Sequence, residues 1–198
     1  MFFVLRIAIC VVVVIISALI YRFFSKTFNK RFLLILLVIS LTLFSLCGIL
    51  PIENAFMTFD SPEEICTYRY GVPPICSVEG ENSALFFYSQ KQSFYHSGVI
   101  KENGGWKMIM GRSVNQKNQI VCGDIYLSVY QIKGADDVYI MVRKPVDNIS
   151  FDLSDNRGTV FAHFFPYKNR EAWCAYLENP DATYYVTING ENVYPFSN

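Results

Sequence analysis

Two long apolar stretches near the N-terminus, separated by a short basic loop, constrain this chain more than any other feature. The first is apolar from Ile7 to Tyr21 apart from one serine, and the second runs from Phe32 to Ile52 with few polar residues. A helix rises about 1.5 Å per residue, so about 20 apolar residues cross the hydrocarbon core of a bilayer. The sequence therefore predicts a transmembrane hairpin with helices at about residues 2–21 and 32–51, joined by a loop at 22–31.

The charges around the hairpin predict its orientation. The loop contains four basic residues and no acidic one, namely Arg22, Lys26, Lys30 and Arg31. Basic residues in short loops stay on the cytoplasmic side, so both termini are expected on the extracytoplasmic side. Arg6 lies about one turn from the terminus, where its guanidinium can reach the headgroups. A cleaved signal peptide is the alternative for the first stretch, and it too leaves residues 53–198 outside.

The charge balance differs sharply between the two parts of the chain. Residues 1–52 contain five basic and no acidic residues, whereas residues 53–198 contain 12 basic and 17 acidic residues, a net charge of −5. A net negative outer domain argues against nucleic acid or anionic lipid as its partner. The expected partners are the membrane, in which the chain is integral, and a protein or cell-surface ligand.

Residues 53–198 have the length of one compact domain and a β-rich pattern. A short helix is predicted at Pro62–Tyr70, because Ser61 and Glu64 form a capping box at its start. Beyond it, stretches rich in β-branched and aromatic residues alternate with Gly, Asn and Asp turn signals. The predicted strands are Ile75–Val78, Ala84–Tyr88, Phe94–Lys101, Trp106–Met110, Ile120–Ile132, Val138–Val142, Ile149–Leu153, Thr159–Phe165, Ala172–Leu177 and Tyr184–Ile188.

The expected fold is thus a membrane hairpin of two α-helices plus a mainly antiparallel β outer domain with one short helix at its start. Alternation of apolar and polar residues in several strands predicts a half-buried sheet surface. A sandwich, a barrel and an open sheet all remain compatible with the pattern. A division into two β units near Asp147 is a further alternative.

Four segments resemble small membrane-anchored bacterial proteins of uncharacterised families. These segments are 61–64, 80–88, 101–107 with its Trp106, and 184–191. The resemblance spans most of the outer domain and implies a bacterial, extracytoplasmic protein. It implies no activity and no functional residues.

Four of the six cysteines lie in the outer domain, whereas Cys10 and Cys47 lie in the predicted helices as packing residues. The four are Cys66, Cys76, Cys122 and Cys174. An even number in an oxidising compartment favours two disulfides, for example Cys66 with Cys76 and Cys122 with Cys174. Four buried thiols are the alternative. No metal site is expected, since there is no Cys-x-x-Cys pair and only His96 and His163 are available to supplement the thiols.

No catalytic residue and no cofactor are predicted. Neither Ser97 nor Cys174 lies in a recognisable nucleophile motif. Residues 152–158 resemble a calcium loop but lack its terminal glutamate, so a tight turn is the preferred interpretation. Asp136 and Asp137 are interpreted as the solvated tip of a hairpin.

The aromatic runs at 164–167 and 184–185 are expected to alternate between the core and the sheet surface. An exposed aromatic binding patch is the alternative. Trp106 is expected to lie in the core.

The predicted location of the outer domain at the membrane is therefore the main guide to function. The leading hypothesis is a non-enzymatic, membrane-anchored domain that binds or senses something at the cell surface. One alternative is a structural subunit of a membrane complex, assembled through the hairpin. The other is a surface hydrolase or thiol enzyme.

Overall fold

The computed structural model describes residues 2–24, 30–109, 111, 113–146, 151–167 and 169–197. The described residues form three α-helices and twelve β-strands. The chain divides into two compact units, Met1–Phe56 and Met57–Asn198.

The first unit is helical. Helix α1 spans Phe2–Phe24 and helix α2 spans Lys30–Ile49, and a 3-10 turn follows at Ile52–Ala55. The two helices contact each other. Helices thus occupy both apolar stretches, but α1 continues beyond residue 21 and α2 begins at Lys30, so the connection is shorter than predicted. Lys26 lies outside the described residues.

The surface of the helical unit is apolar. Large side chains at least half exposed occur along both helices, including Val11, Ile15, Leu19, Leu34, Leu41 and Phe44. The hydroxyls of Ser17, Ser40 and Thr42 each donate to the backbone carbonyl four residues earlier, at 2.7 to 2.9 Å. Such hydroxyls need no water, so this surface suits an apolar medium.

Among the described residues, one helix is long and apolar enough to cross a membrane. In α1 the 18-residue window Arg6–Phe23 has a mean hydropathy of 2.3. The corresponding described segment of α2, Leu34–Leu46, is shorter. Because α1 lies near the N-terminus, a signal sequence meets the same criterion.

A buried ion pair joins the beginning of α1 to the turn that follows α2. The Nε and Nη2 atoms of Arg6 donate to the two carboxylate oxygens of Glu53, each at 2.8 Å. The two side chains are 7% and 0% exposed. Arg6 was expected to reach the headgroups, but here its charge is neutralised within the protein by a bidentate partner. The ion pair therefore links the two helices at one end of the helical unit.

The second unit begins with the predicted helix. Helix α3 spans Pro62–Tyr70, as the sequence indicates. Ser61 Oγ accepts a hydrogen bond from the Glu64 amide, and the Glu64 carboxylate accepts one from the Asp60 amide. Gly71 ends the helix with a φ of +75°, a left-handed conformation that glycine adopts without strain.

Three antiparallel sheets follow. The twelve strands are β1 Cys76–Glu79, β2 Ser83–Gln90, β3 Ser93–Glu102, β4 Gly105–Met108, β5 Val114–Cys122, β6 Ile125–Ile132, β7 Val138–Pro145, β8 Leu153–Asp155, β9 Ala162–Tyr167, β10 Arg170–Leu177, β11 Val186–Ile188 and β12 Glu191–Val193. Their order is β1-β2-β3-β4 in a four-stranded sheet, β5-β6-β7-β10-β9 in a five-stranded sheet, and β12-β11-β8 in a three-stranded sheet. The predicted antiparallel β architecture is confirmed.

The five-stranded sheet forms the middle layer of this unit. On one face, Tyr139 and Met141 join a core with Leu85 and Phe87 of the four-stranded sheet. On the other face, residues such as Ile140 join a core with the three-stranded sheet. The central strands are therefore buried on both faces, and the half-buried surface expected from their alternation is wrong for them.

The predicted strand at Ile120–Ile132 is two strands. Gly123 adopts a φ of +58° and turns the chain between β5 and β6. Strand β5 also begins earlier than expected, at Val114. It lies at the edge of its sheet, where polar residues such as those at 115–119 can face solvent and still belong to a strand. Residues 147–150 lie outside the described part of the chain.

Candidate functional site

The cysteines do not form the expected disulfides. The described cysteines of the outer domain, Cys66, Cys76, Cys122 and Cys174, are all free thiols. Strands β5 and β10 are separated by two others, about 14 Å at about 4.8 Å per strand, which is too far for Cys122 and Cys174 to bond.

Cys66 and Cys76 lie on opposite sides of the four-stranded sheet. Cys76 pairs in register with Phe87, whose ring lies in the core facing the five-stranded sheet. Cys66 belongs to α3, which covers the other face, where Tyr70 contacts Phe86. A sulfur–sulfur bond between the two would have to pass through the sheet.

The thiols are poorly suited to nucleophilic chemistry. Burial raises the pKa of Cys76 to about 11 and that of Cys174 well above its ordinary value. Burial, with a smaller contribution from Glu63, raises the pKa of Cys66 to about 12. All three therefore carry a proton at neutral pH.

The serine and histidine candidates are not brought together. Ser97 Oγ is buried and lies 3.1 Å from the hydroxyls of Ser113 and Tyr70. His96 is exposed on the opposite face of β3, with its ring 5.1 Å from that of Tyr130. His163 stacks on Trp173 at 4.7 Å and pairs with Glu171 at 3.4 Å.

The aromatic residues of these runs whose side chains are described alternate as predicted, and the Tyr167 side chain lies outside the described part. Phe164 is 5% exposed and lies in the core, whereas Phe165 is 55% exposed on the other face of edge strand β9. Tyr184 is fully buried and Tyr185 is half-buried. Trp106 is also buried.

The calcium-like segment is a turn built around Asp155. Its Oδ1 accepts hydrogen bonds from the Arg157 and Thr159 amides, and its Oδ2 accepts one from the Tyr184 hydroxyl at 2.9 Å. Burial opposes ionisation of Asp155, but the hydrogen bonds outweigh it and lower the pKa of the carboxyl. The carboxylate is occupied in holding the turn together.

Asp137 is not the solvated residue that was expected. It is 5% exposed, and its Oδ2 accepts hydrogen bonds from the Asn82 amide at 2.9 Å and the Ser83 hydroxyl at 2.7 Å. Gly80 approaches it so closely that a Cβ atom there would lie 2.7 Å from Oδ2. Asp137 thus fastens the turn between β1 and β2 to the five-stranded sheet, whereas Asp136 remains exposed.

Two arginines that no sequence motif indicates, Arg143 and Arg170, line a pocket at one end of the five-stranded sheet. We call this the arginine pocket; it is lined by Gln119, Tyr126, Arg143, Pro166 and Arg170 and has a volume of about 240 Å³. Strand register sets Arg143 between Tyr126 on β6 and Ala172 on β10. Arg170 lies two residues before Ala172, so it projects from the same face.

The arginine pocket is positively charged, and no described acidic side chain forms an ion pair with its arginines. The guanidinium carbons of Arg143 and Arg170 lie 5.9 Å and 5.7 Å from the centre of the Tyr126 ring. Within the described part of the chain, neither guanidinium forms an ion pair. The buried Nε of Arg143 has no hydrogen-bond partner there either. Glu171, next to Arg170 in sequence, instead lies near Lys144 and His163.

A second pocket is larger, but its charged side chain already forms hydrogen bonds within the protein. It has a volume of about 520 Å³ and is lined by Arg157, Thr159, Tyr176 and residues 177–179. The Arg157 guanidinium already donates to the Glu178 and Asn179 carbonyls and to Asp181. Its charged group is therefore engaged within the protein, in contrast to those of the arginine pocket.

In this chain a helical unit precedes a unit of three antiparallel sheets. No protein-family model matches the chain, and no curated protein or solved structure shows significant similarity to it. The resemblance to membrane-anchored bacterial proteins therefore identifies no family, and function is argued from the residues alone.

Proposed function

We propose that the chain is a membrane-anchored protein whose sheet unit lies outside the cytoplasm and binds a ligand there. The observation that carries the membrane assignment is the apolar surface of α1 and α2, with their hydroxyls bonded to their own backbone. In water this surface would be costly to expose. The basic residues between the helices favour a cytoplasmic connection.

The Arg6–Glu53 pair favours an anchor that is retained over a signal sequence that is removed. Cleavage after α1 would separate Arg6 from Glu53, which is fully buried in this structure. The bidentate contact between the two side chains exists only while α1 remains part of the chain. Retention of α1 keeps both charges neutralised.

The two arginines, which pair with no acidic side chain in the described part of the chain, support a binding role for the sheet unit. A domain with a net charge of −5 has acidic residues in excess, yet the described residues place none against Arg143 or Arg170. Positive groups held together without a counter-charge are costly unless a ligand neutralises them.

Membrane fractionation tests the anchoring. In cells expressing the full chain, we expect the protein to remain in the membrane pellet after washing at alkaline pH, with an intact mass that includes α1. A matched chain beginning at Met57 should leave the pellet under the same wash. Release of the full chain, or a mature form that begins after α1, would contradict a retained anchor.

A further inference from the structure

We propose that the arginine pocket binds a phosphate group, either inorganic phosphate or the phosphoryl group of a larger molecule. This inference deepens the proposed binding function and rests on it for the role of the sheet unit. It depends on the geometry of Tyr126, Arg143 and Arg170, which lie at one end of the five-stranded sheet.

The chemistry of the pocket selects an anion. Guanidinium groups present planar arrays of N–H donors that match the oxygens of phosphate and carboxylate. The Nε of Arg143 is a buried donor without a partner among the described residues, so the protein leaves part of the hydrogen-bonding capacity of this guanidinium unused. Cation–π contact with Tyr126 holds both side chains at the pocket before a ligand arrives, which reduces the entropy lost on binding.

Charge and size favour phosphate over a single carboxylate. Two arginines match the two negative charges that a phosphate monoester carries near neutral pH, whereas one carboxylate would neutralise only one of them. The volume of about 240 Å³ lies below the roughly 300 to 1,000 Å³ of typical drug-sized sites. The pocket therefore suits a small ligand or the charged end of a larger one.

The pocket is built on rigid elements. Tyr126, Arg143 and Arg170 belong to β6, β7 and β10. Each of these strands also contributes a buried residue to the same face of the sheet, namely Tyr130, Met141 and Ala172. Strand positions of this kind hold side chains more precisely than loops do. Gln119 adds an amide at the rim, whose Oε1 accepts a hydrogen bond from Gln116 at 2.7 Å.

The test is a titration of the purified full chain in micelles with inorganic phosphate at constant ionic strength, followed by the ³¹P linewidth. We expect saturable binding to the unaltered protein. Arg143→Gln and Arg170→Gln should each weaken it by roughly 10- to 100-fold, as expected for losing hydrogen bonds to a charged group. Arg69→Gln is the matched control, because Arg69 also lies over a tyrosine ring, at 5.4 Å from its centre, but outside the pocket.

Folding is checked separately, through the thermal unfolding midpoint of each variant without phosphate. Arg143→Lys, which retains the charge but loses the planar donors, provides a second variant if Arg143→Gln does not fold. It should weaken phosphate binding while the protein stays folded. Absence of binding to the unaltered chain, or equal binding by the pocket variants and Arg69→Gln, would overturn the inference.

A second arm identifies the source of the phosphate. The full chain is mixed with vesicles of a neutral phospholipid, with or without phosphatidic acid, and free phosphate is used to compete. Binding to vesicles that requires phosphatidic acid and both arginines, and that free phosphate displaces, supports a lipid headgroup as the ligand. Binding of free phosphate without binding to these vesicles supports a soluble ligand. If neither probe binds while the chain remains integral in the membrane, the pocket assignment fails but the anchoring does not.

Discussion

Replacing Glu53 with alanine is expected to destabilise the helical unit by about 3 to 5 kcal/mol, the cost typical of breaking a buried ion pair. The change leaves the Arg6 guanidinium, which is 7% exposed, without the carboxylate that it contacts twice at 2.8 Å. The readout is energy transfer between fluorescent non-natural amino acids at positions 4 and 50, in micelles of rising SDS content. The transfer should be lost at a lower SDS fraction than in the unaltered chain.

The double variant Arg6→Met with Glu53→Leu is the matched control. It removes both charges together, so most of the lost free energy of unfolding should return. If Glu53→Ala and the double variant lost the same free energy of unfolding, the two positions would not be coupled. The pair would then not join the helices.

Replacing Asp137 with alanine is the second change for which a large effect is expected, about 3 kcal/mol of the free energy of unfolding of the sheet unit. The change removes the carboxylate that accepts hydrogen bonds from the Asn82 amide and the Ser83 hydroxyl. Both donors would then lose this acceptor while staying inside the protein. Urea unfolding of the full chain in micelles, followed by the fluorescence of Trp106 and Trp173, measures the difference.

The neighbouring residue offers a matched comparison. Asp136 is exposed, so Asp136→Ala removes the same charge and should change the free energy of unfolding by less than about 0.5 kcal/mol. If the two variants were equally stable, Asp137 would not be the fastening that the structure indicates.

The parts of the fold that the sequence predicted are those governed by local chemistry. The bounds of α3 follow from Ser61 and Gly71 at its two ends, and α1 and α2 follow from long stretches of mostly apolar residues. The single strand predicted across Gly123 was wrong because Gly123 supplies a turn between strands whose composition is similar on both sides.

The parts that were missed depend on contacts between distant residues. Asp137 bonds to residues about 55 positions away, so its burial has no local signature. Arg143 and Arg170 meet because β7 and β10 pair, and no spacing in the sequence indicates that pairing. The one available signal was a charged residue, Arg143, directly after the apolar run of residues 138–142.

The alternative functions differ in what the structure offers them. A thiol enzyme would need a thiolate, whereas burial raises the pKa of Cys174. A structural subunit would use the apolar helix surfaces, and that hypothesis predicts that an unrelated hairpin abolishes function. The binding hypothesis instead locates function in the sheet unit and its arginine pocket.

The most direct test of this account is the side of the membrane on which the sheet unit lies. Val160 is 89% exposed, so Val160→Cys places a reactive thiol on the surface of that unit, and Lys26→Cys places one in the connection between the helices. In intact cells treated with a membrane-impermeant maleimide, Val160→Cys should be labelled above the background of the unaltered chain. Lys26→Cys should be labelled only after permeabilisation, and the reverse pattern would contradict the account.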